Sequence, residues 1–270
     1  MDYLPISVVV ATKNAERTLA ECLDSVQKNN PAAKIVVDGL SSDRTIEIAS
    51  KYTDKIYSDD GKGFNYAQQF GVEQASQEYI ALVDSDIVLP KGTLSILLSE
   101  LKESDLVCMG ARVESVKQTT YWERAACFVE SNRETCSLQA TLIKRDILLK
   151  YKLDANVSFA SDYDFMYRIK KEGFKIGTSS AIAYHHHPAG MMNFVKQRVR
   201  FGLEATLYIR VYGPWHISFW PPVTRLYWFA LCVIKGKPNY IPYFIVDWAA
   251  QTSGMIKGFF KMMVYRLKDR

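Results

Sequence analysis

A chain of 270 residues and 30.8 kDa is long enough for one large domain or two small ones, and its 48% hydrophobic and 23% charged residues exclude wholesale disorder. Five cysteines (Cys22, Cys108, Cys127, Cys136, Cys232), odd in number and without a C-x-x-C, speak against a disulfide framework or zinc cluster. No basic and apolar secretory signal opens the sequence, so a reducing, intracellular setting is expected.

In chain order, residues 1–113 alternate strand and helix. "ISVVVA" is a continuous β-branched run, as in a buried parallel strand, and "RTLAECLDSVQKN" follows with Leu19, Leu23 and Val26 at helical spacing. "KIVVD" predicts a second strand, "SSDRTIEIASKY" a helix with a Ser/Asp cap, and "DKIYS" a short strand. A helix in "GFNYAQQFGVEQA" then leads to the strand "YIALVD". Strands separated by such helices imply right-handed crossovers and an α/β, doubly wound, mostly parallel sheet, which binds ligands beyond the carboxyl ends of its strands. After residue 113 the pattern is mixed: "SLQATLIK" reads as a strand, "SDYDFMYRIKKEG" as a helix, and "FKIGTSSAIAY" as extended chain running into His185-His186-His187. Met191–Tyr212 reads as a long basic helix stopped by Gly213-Pro214. The expected organisation is one α/β domain over 1–190, with halves near 1–113 and 114–190, and a C-terminal helical region over 191–270.

The net charge of +5 is unevenly spread, because residues 191–270 hold twelve Lys and Arg against three Asp and Glu. The same stretch holds Trp215, Trp220, Trp228 and Trp248. Cations among amphipathic rings suit a membrane interface, and charges or prolines interrupt every apolar block before it is long enough to span. The expectation is a set of amphipathic helices, with Trp215, Trp220 and Trp228 at headgroup depth and the protein held peripherally on the cytoplasmic face of the cell membrane; an aromatic core is the alternative. Nucleic acid is not an expected partner, since the positive charge lies in no nucleic-acid motif.

"ALVDSDIVLP" carries the first chemistry. Asp84 and Asp86, one residue apart at a strand's carboxyl end, can clamp a divalent cation through oxygen ligands, and such a cation would hold a diphosphate and neutralise its charge as it leaves. Asp38 also ends a strand, so both strand ends face one crevice, although an aspartate before Gly39 is also a common turn residue.

Four blocks in order, "ISVVVATKNAERTLAECLDSV", "IVVDGLSSDRT", "GKGFNYAQQFGVEQASQEYIALVDSD" and "SDYDFMYRIKKEGFKI", resemble the family 2 glycosyltransferases over about residues 5–200. That resemblance implies a GT-A fold, similar to the polyprenyl-phosphate mannose synthases and other lipid-directed transferases, and an inverting hexosyl transfer from a nucleotide sugar such as GDP-mannose or a UDP-hexose. It implies that Ala11, Thr12 and Glu16 line the nucleoside pocket, that Asp38 bonds the base and that Lys62 approaches the donor phosphates from its loop, a solvated lysine being the alternative. Asp84, Ser85 and Asp86 match the family's D-x-D, with the first acid on the ribose or a metal-bound water and the second on Mn²⁺ or Mg²⁺. Asp162 falls where the family has its catalytic base, although Ser161 replaces the usual glutamate before it; Asp164 is its rival, and a helix cap the bland reading. "AIAYHHHP" resembles a strand that ends in a metal- or diphosphate-binding histidine, His185 first and His187 second, which share a face if the strand continues. "QRVRFG" resembles a Q-x-x-R-W element with Phe201 in place of Trp, so Gln197 and Arg200 border the acceptor or diphosphate or else form a basic helix face. The implied acceptor is a lipid-borne or glycan hydroxyl or phosphate, and a non-catalytic nucleotide-sugar-binding module is the reading from another class.

Overall fold

The computed structural model describes residues 3–116, 119–132, 137–155, 161–187, 190–213 and 221–268. The chain divides into two compact units, Met1–Lys117 with Cys127–His187 and Gln118–Ala126 with Pro188–Arg270.

In the first unit, β1 (Leu4–Thr12), α1 (Leu19–Lys28), β2 (Pro31–Asp38), α2 (Thr45–Ala49), β3 (Ile56–Ser58), α3 (Phe64–Gln74) and β4 (Tyr79–Val83) alternate as the sequence predicts. Then come β5 (Ile87–Val88), α4 (Thr93–Lys102), β6 (Leu106–Ser115), α5 (Tyr121–Ser131, of which only the part from Cys127 on belongs to this unit), β7 (Ala140–Lys144), α6 (Arg145–Tyr151), α7 (Ser161–Lys171) and β8 (Lys175–His185). One eight-stranded sheet is ordered β3-β2-β1-β4-β7-β6-β8-β5. Six strands run one way, while β7 and the edge strand β5 are reversed. Along β1, Val8 and Val10 face a core shared with Leu19, Leu23 and Leu94, while Val9 and Ala11 face a second core with Val72, Leu148 and Phe165. Burial on both faces is why the strand reads as a continuous apolar run rather than an alternating one.

Two details differ from the sequence reading. The predicted helix across residues 41–52 shrinks to the five residues of α2, whose N-cap is Arg44 without a side-chain cap bond. Asp43 instead folds back on the next turn: its Oδ1 accepts Thr45 N–H at 3.0 Å and its Oδ2 accepts Glu16 N–H at 3.2 Å. The turn after residue 86 is held by side chains that carry no motif. Buried Asn29 donates Nδ2–H to Leu89 O (3.2 Å) and Pro90 O (3.0 Å), and its Oδ1 accepts Leu94 N–H at 3.1 Å. Ser25 Oγ accepts Leu89 N–H at 2.9 Å.

In the second unit, α8 (Met191–Tyr212), α9 (Pro221–Ile234) and α10 (Ile241–Lys268) form a helical assembly. Contacts advance in step along α8 and α10, from Phe194–Tyr243 through Arg198–Asp247 to Gly202–Gln251, so the two helices run parallel. They meet backbone to backbone: a Cβ on Gly202 would lie 1.9 Å from Gln251 O, and one on Gly254 would lie 2.0 Å from Val199 O. Arg198 Nε lies 3.6 Å from Asp247, and its guanidinium covers the Phe194 and Phe201 rings. Trp228 stacks on Phe244 at 5.5 Å and is half-buried, Trp248 is exposed, and Trp215 and Trp220 lie outside the described residues. Among the described residues, no helix is long and apolar enough to cross a membrane.

Replacing Asn29 by Ala would strand Leu89 O and Leu94 N–H in a buried turn, while Pro90 O would keep Thr93 N–H. Each such loss costs about 1–3 kcal/mol, so chemical denaturation of N29A should show destabilisation of at least that size.

Candidate active site

The carboxyl ends of β1, β2 and β3 form one corner of the site. Thr12 and Asp38 are register partners, and both are buried. Asp38 Oδ2 accepts Ser41 N–H at 2.8 Å, while Asp38 Oδ1 and Thr12 Oγ1 have no hydrogen-bond partner. Buried polar atoms are costly to leave unpaired. Ala11 lies in the core beside them, one residue earlier and on the other side of the strand. Glu16 is half-buried and turned to Arg44, whose Nε lies 3.4 Å from its Oε2.

Buried Asp59 shapes the neighbouring loop. Its Oδ1 accepts Gly61 N–H at 2.7 Å, its Oδ2 accepts Gly63 N–H at 3.0 Å, and its own N–H donates to Asp38 O. Gly61 and Gly63 have φ of 75° and 101°, a region that L side chains adopt only with strain. Lys62 projects between them, with Nζ 4.5 Å from the Tyr66 ring centre and 3.9 Å from Asp60.

The second corner is built by strand pairing. Asp84 leaves β4 with its N–H bonded to Gln139 O, and Ile87 N–H closes the turn on Asp84 O; Ser85 is half-buried between the two acids. β5 then pairs antiparallel with β8, setting Ile87 opposite His185, and His186 N–H donates to Asp86 O at 2.9 Å. The pairing brings His185 Nε2 to 3.4 Å from Asp86 Oδ2. His185 and His187 lie together, rings 4.6 Å apart, both against Glu130: His185 Nδ1 is 2.8 Å from Oε1 and His187 Nε2 is 3.0 Å from Oε2. His186 meets Glu21 instead, at 3.0 Å.

Charge explains the protonation states. Burial and the Asp86 charge hold the Asp84 carboxyl well above the usual carboxylate range, with Asp162 adding to them and His185 opposing. Burial works against a charged His185, yet Asp86 and Glu130 outweigh it and raise its pKa to about 10. Burial would likewise raise Glu130, but His185 and His187 bring it down to about 2. Carboxylates outnumber cations in this corner.

Asp162 and Asp164 separate into different roles. Asp164 is buried, and its Oδ2 accepts both Arg168 Nε–H (2.9 Å) and Nη2–H (2.8 Å) while its Oδ1 has no hydrogen bond; Arg168 in turn donates to Tyr151 O and Lys152 O. Asp162 is half-buried in the first turn of α7, its Oδ1 accepting Tyr163 N–H at 2.8 Å, and its charge reaches Asp84. Gln197 and Arg200 stand on α8 in the other unit, with Arg200 Nε 3.5 Å from Glu204.

Glu130 and Asp59 were not singled out from the sequence. Glu130 is one acid among the polar residues of an amphipathic helix, and only the i, i+2 spacing of His185 and His187 hints at a shared carboxylate partner.

The model of the family described as glycosyl transferase family 2 matches residues 7–173. The chain is 32% identical over 114 residues to the low-salt glycan biosynthesis hexosyltransferase Agl6 of Haloferax volcanii, covering 40% of this chain and 28% of the relative's length. It is 19% identical over 266 residues to a dolichyl N-acetyl-alpha-D-glucosaminyl phosphate 3-beta-D-2,3-diacetamido-2,3-dideoxy-beta-D-glucuronosyltransferase of Methanococcus voltae, covering 86% of this chain and 82% of that protein. Among solved structures, the mannosyltransferase PcManGT from Pyrobaculum calidifontis, in complex with GDP-Man and Mn²⁺, superimposes with a TM-score of 0.66 at 16% identity, over 96% of this chain and 88% of that one. The likeness in structure establishes the shared GT-A fold, and the family model spans more than half of the sequence: the chain belongs to the family 2 glycosyltransferases.

Proposed function

We propose that this protein is an inverting, metal-dependent glycosyltransferase that moves a hexose from a GDP- or UDP-linked donor to a lipid-borne or glycan hydroxyl or phosphate. The observation that carries the reading is the junction of β5 with β8, which joins Asp86 to His185 beside Asp84 and within electrostatic reach of Asp162. Asp38 Oδ1 accepts an N–H of the base, and Thr12 Oγ1 takes a second polar contact. Lys62 reaches the diphosphate from its glycine-flanked loop.

Two carboxylates and one imidazole form a donor set that suits Mn²⁺ or Mg²⁺, and the crowding that pushes the Asp84 proton affinity upward is the strain a divalent cation relieves. Asp84, Asp86 and His185 would hold it; when bound, it supplies positive charge against the departing nucleoside diphosphate. Asp162 keeps one oxygen on Tyr163 N–H and uses the other to take the acceptor's proton as the acceptor oxygen attacks the anomeric carbon. Attack opposite the leaving diphosphate inverts the configuration.

The second unit supports attachment to a membrane surface on the cytoplasmic side. Leu226, Tyr227, Val233, Ile234, Ile256 and Phe260 are exposed there, interspersed with exposed Lys235, Lys237, Lys257 and Lys261. Each basic residue near an anionic surface contributes about 1 kcal/mol, so several together localise a protein without a span.

Transfer from GDP- and UDP-hexoses should require Mn²⁺ or Mg²⁺ and stop in excess chelator; undiminished transfer in chelator would contradict the metal role. Asp162→Asn should lower turnover by about 10²–10⁴-fold with donor affinity kept. Asp164→Asn should act on folding instead, costing about 1.5–3 kcal/mol because the bonds to Arg168 lose their charged acceptor; the reverse pattern would exchange the two roles. In flotation assays the full chain should rise with anionic liposomes at low salt and be partly released by high salt, whereas a chain that stays in solution throughout would reassign the apolar surface to a protein contact.

A further inference from the structure

Glu130 has no part in the mechanism above, yet it is a tightly constrained carboxylate beside the site. Both of its oxygens are engaged, Oε1 by His185 Nδ1 at 2.8 Å and Oε2 by His187 Nε2 at 3.0 Å, and its side chain is 13% exposed. The two ring nitrogens of His185 point in different directions: Nε2 toward Asp86, Nδ1 toward Glu130. A histidine that offers a lone pair to a cation from one nitrogen must carry its proton on the other, and a buried N–H needs an acceptor.

We infer that Glu130 is a positioning residue of the cation site: it accepts the Nδ1 proton of His185, fixes the tautomer that turns Nε2 to Asp86 and the cation, and is itself held in place by His187. The inference rests on the reading of Asp84, Asp86 and His185 as cation ligands. Glu130, His185 and His187 also bring one ligand atom each to within 4.8 Å of one another, so they form a possible metal triad in their own right. The triad would use the opposite nitrogen of His185 and would break both ring contacts to Glu130. The Nε2 side instead has the additional carboxylates Asp84 and Asp86, and the backbone bond from His186 N–H to Asp86 O locks that side together.

The test is Mn²⁺ binding by the full chain in the presence of GDP or UDP, followed by electron paramagnetic resonance, with nitrogen couplings counted on the bound ion. One histidine nitrogen is expected on wild-type protein, and two would overturn the assignment in favour of the triad. Asp86→Ala reads the site itself: if it binds Mn²⁺ like wild type, the underlying ligand reading fails whatever Glu130 does. With Asp86→Ala impaired, Glu130→Gln should weaken Mn²⁺ by about 10–100-fold while keeping wild-type thermal unfolding, and an unchanged affinity would overturn the role of Glu130 alone. His187→Gln, which retains an N–H donor for Glu130, keeps the question open to decision if Glu130→Gln does not fold. Affinity within a few-fold of wild type supports positioning, and a loss as complete as in Asp86→Ala makes His187 a ligand and overturns it. In turnover assays the Glu130→Gln defect should be recovered in part by raising Mn²⁺, which a purely structural defect would not allow.

Discussion

A two-residue strand governs the chemistry of this protein. β5 contains only Ile87 and Val88, yet its pairing with β8 ties residues nearly a hundred positions apart, and the acids that precede it are set against the histidine that ends its partner. Two backbone pairs would not hold such a junction alone, since isolated short pairings are marginal in water. Ser25 and Asn29, buried on and just after α1, hold the chain immediately beyond β5, and Val116 N–H bonds to His185 O on the other side. The site is thus positioned by polar groups that are fully committed to backbone, which leaves the acids themselves available for a ligand.

The same logic separates residues that bind from residues that support. Asp59 spends both oxygens on the glycine loop, whereas Asp38 and Asp164 each spend one, on Ser41 N–H and on Arg168, and keep a buried Oδ1 without a hydrogen bond. Counting hydrogen bonds sets Asp59 apart, and the kind of partner separates the other two, a backbone N–H for Asp38 and the Arg168 cation for Asp164. Electrostatics adds the second criterion, because Asp84 is the acid on which burial and neighbouring charge both bear.

The nucleotide half was legible because its strands are buried on both faces, so "VVVAT", "IVVD" and "YIALV" stand out without an alignment. The D-x-D and the histidine run were legible as residue types, and β8 as an extended segment. What eluded the pattern was the reversal of β5 and β7, since periodicity fixes which face a residue takes but not the direction of its neighbour. Glu130 was invisible for a related reason: its role depends on a contact across 55 residues, and nothing local in α5 encodes it. In the C-terminal region the charge and aromatic pattern predicted helices, while the backbone contacts at Gly202 and Gly254 turn α8 and α10 into a packed pair rather than separate surface segments. Trp228 accordingly meets Phe244, which a compositional argument has no means of foreseeing.

The central claim is that the β5–β8 junction creates a cation site from Asp84, Asp86 and the Nε2 of His185. A crystal of the protein grown with Mn²⁺ and GDP or UDP, with diffraction recorded near the manganese absorption edge, tests it most directly. The account predicts one anomalous peak between the Asp86 carboxylate and His185 Nε2, in contact with the diphosphate, and Glu130 still bonded to His185 Nδ1. A peak ringed by Glu130, His185 Nδ1 and His187, or a diphosphate bound with no peak beside Asp86, would contradict it.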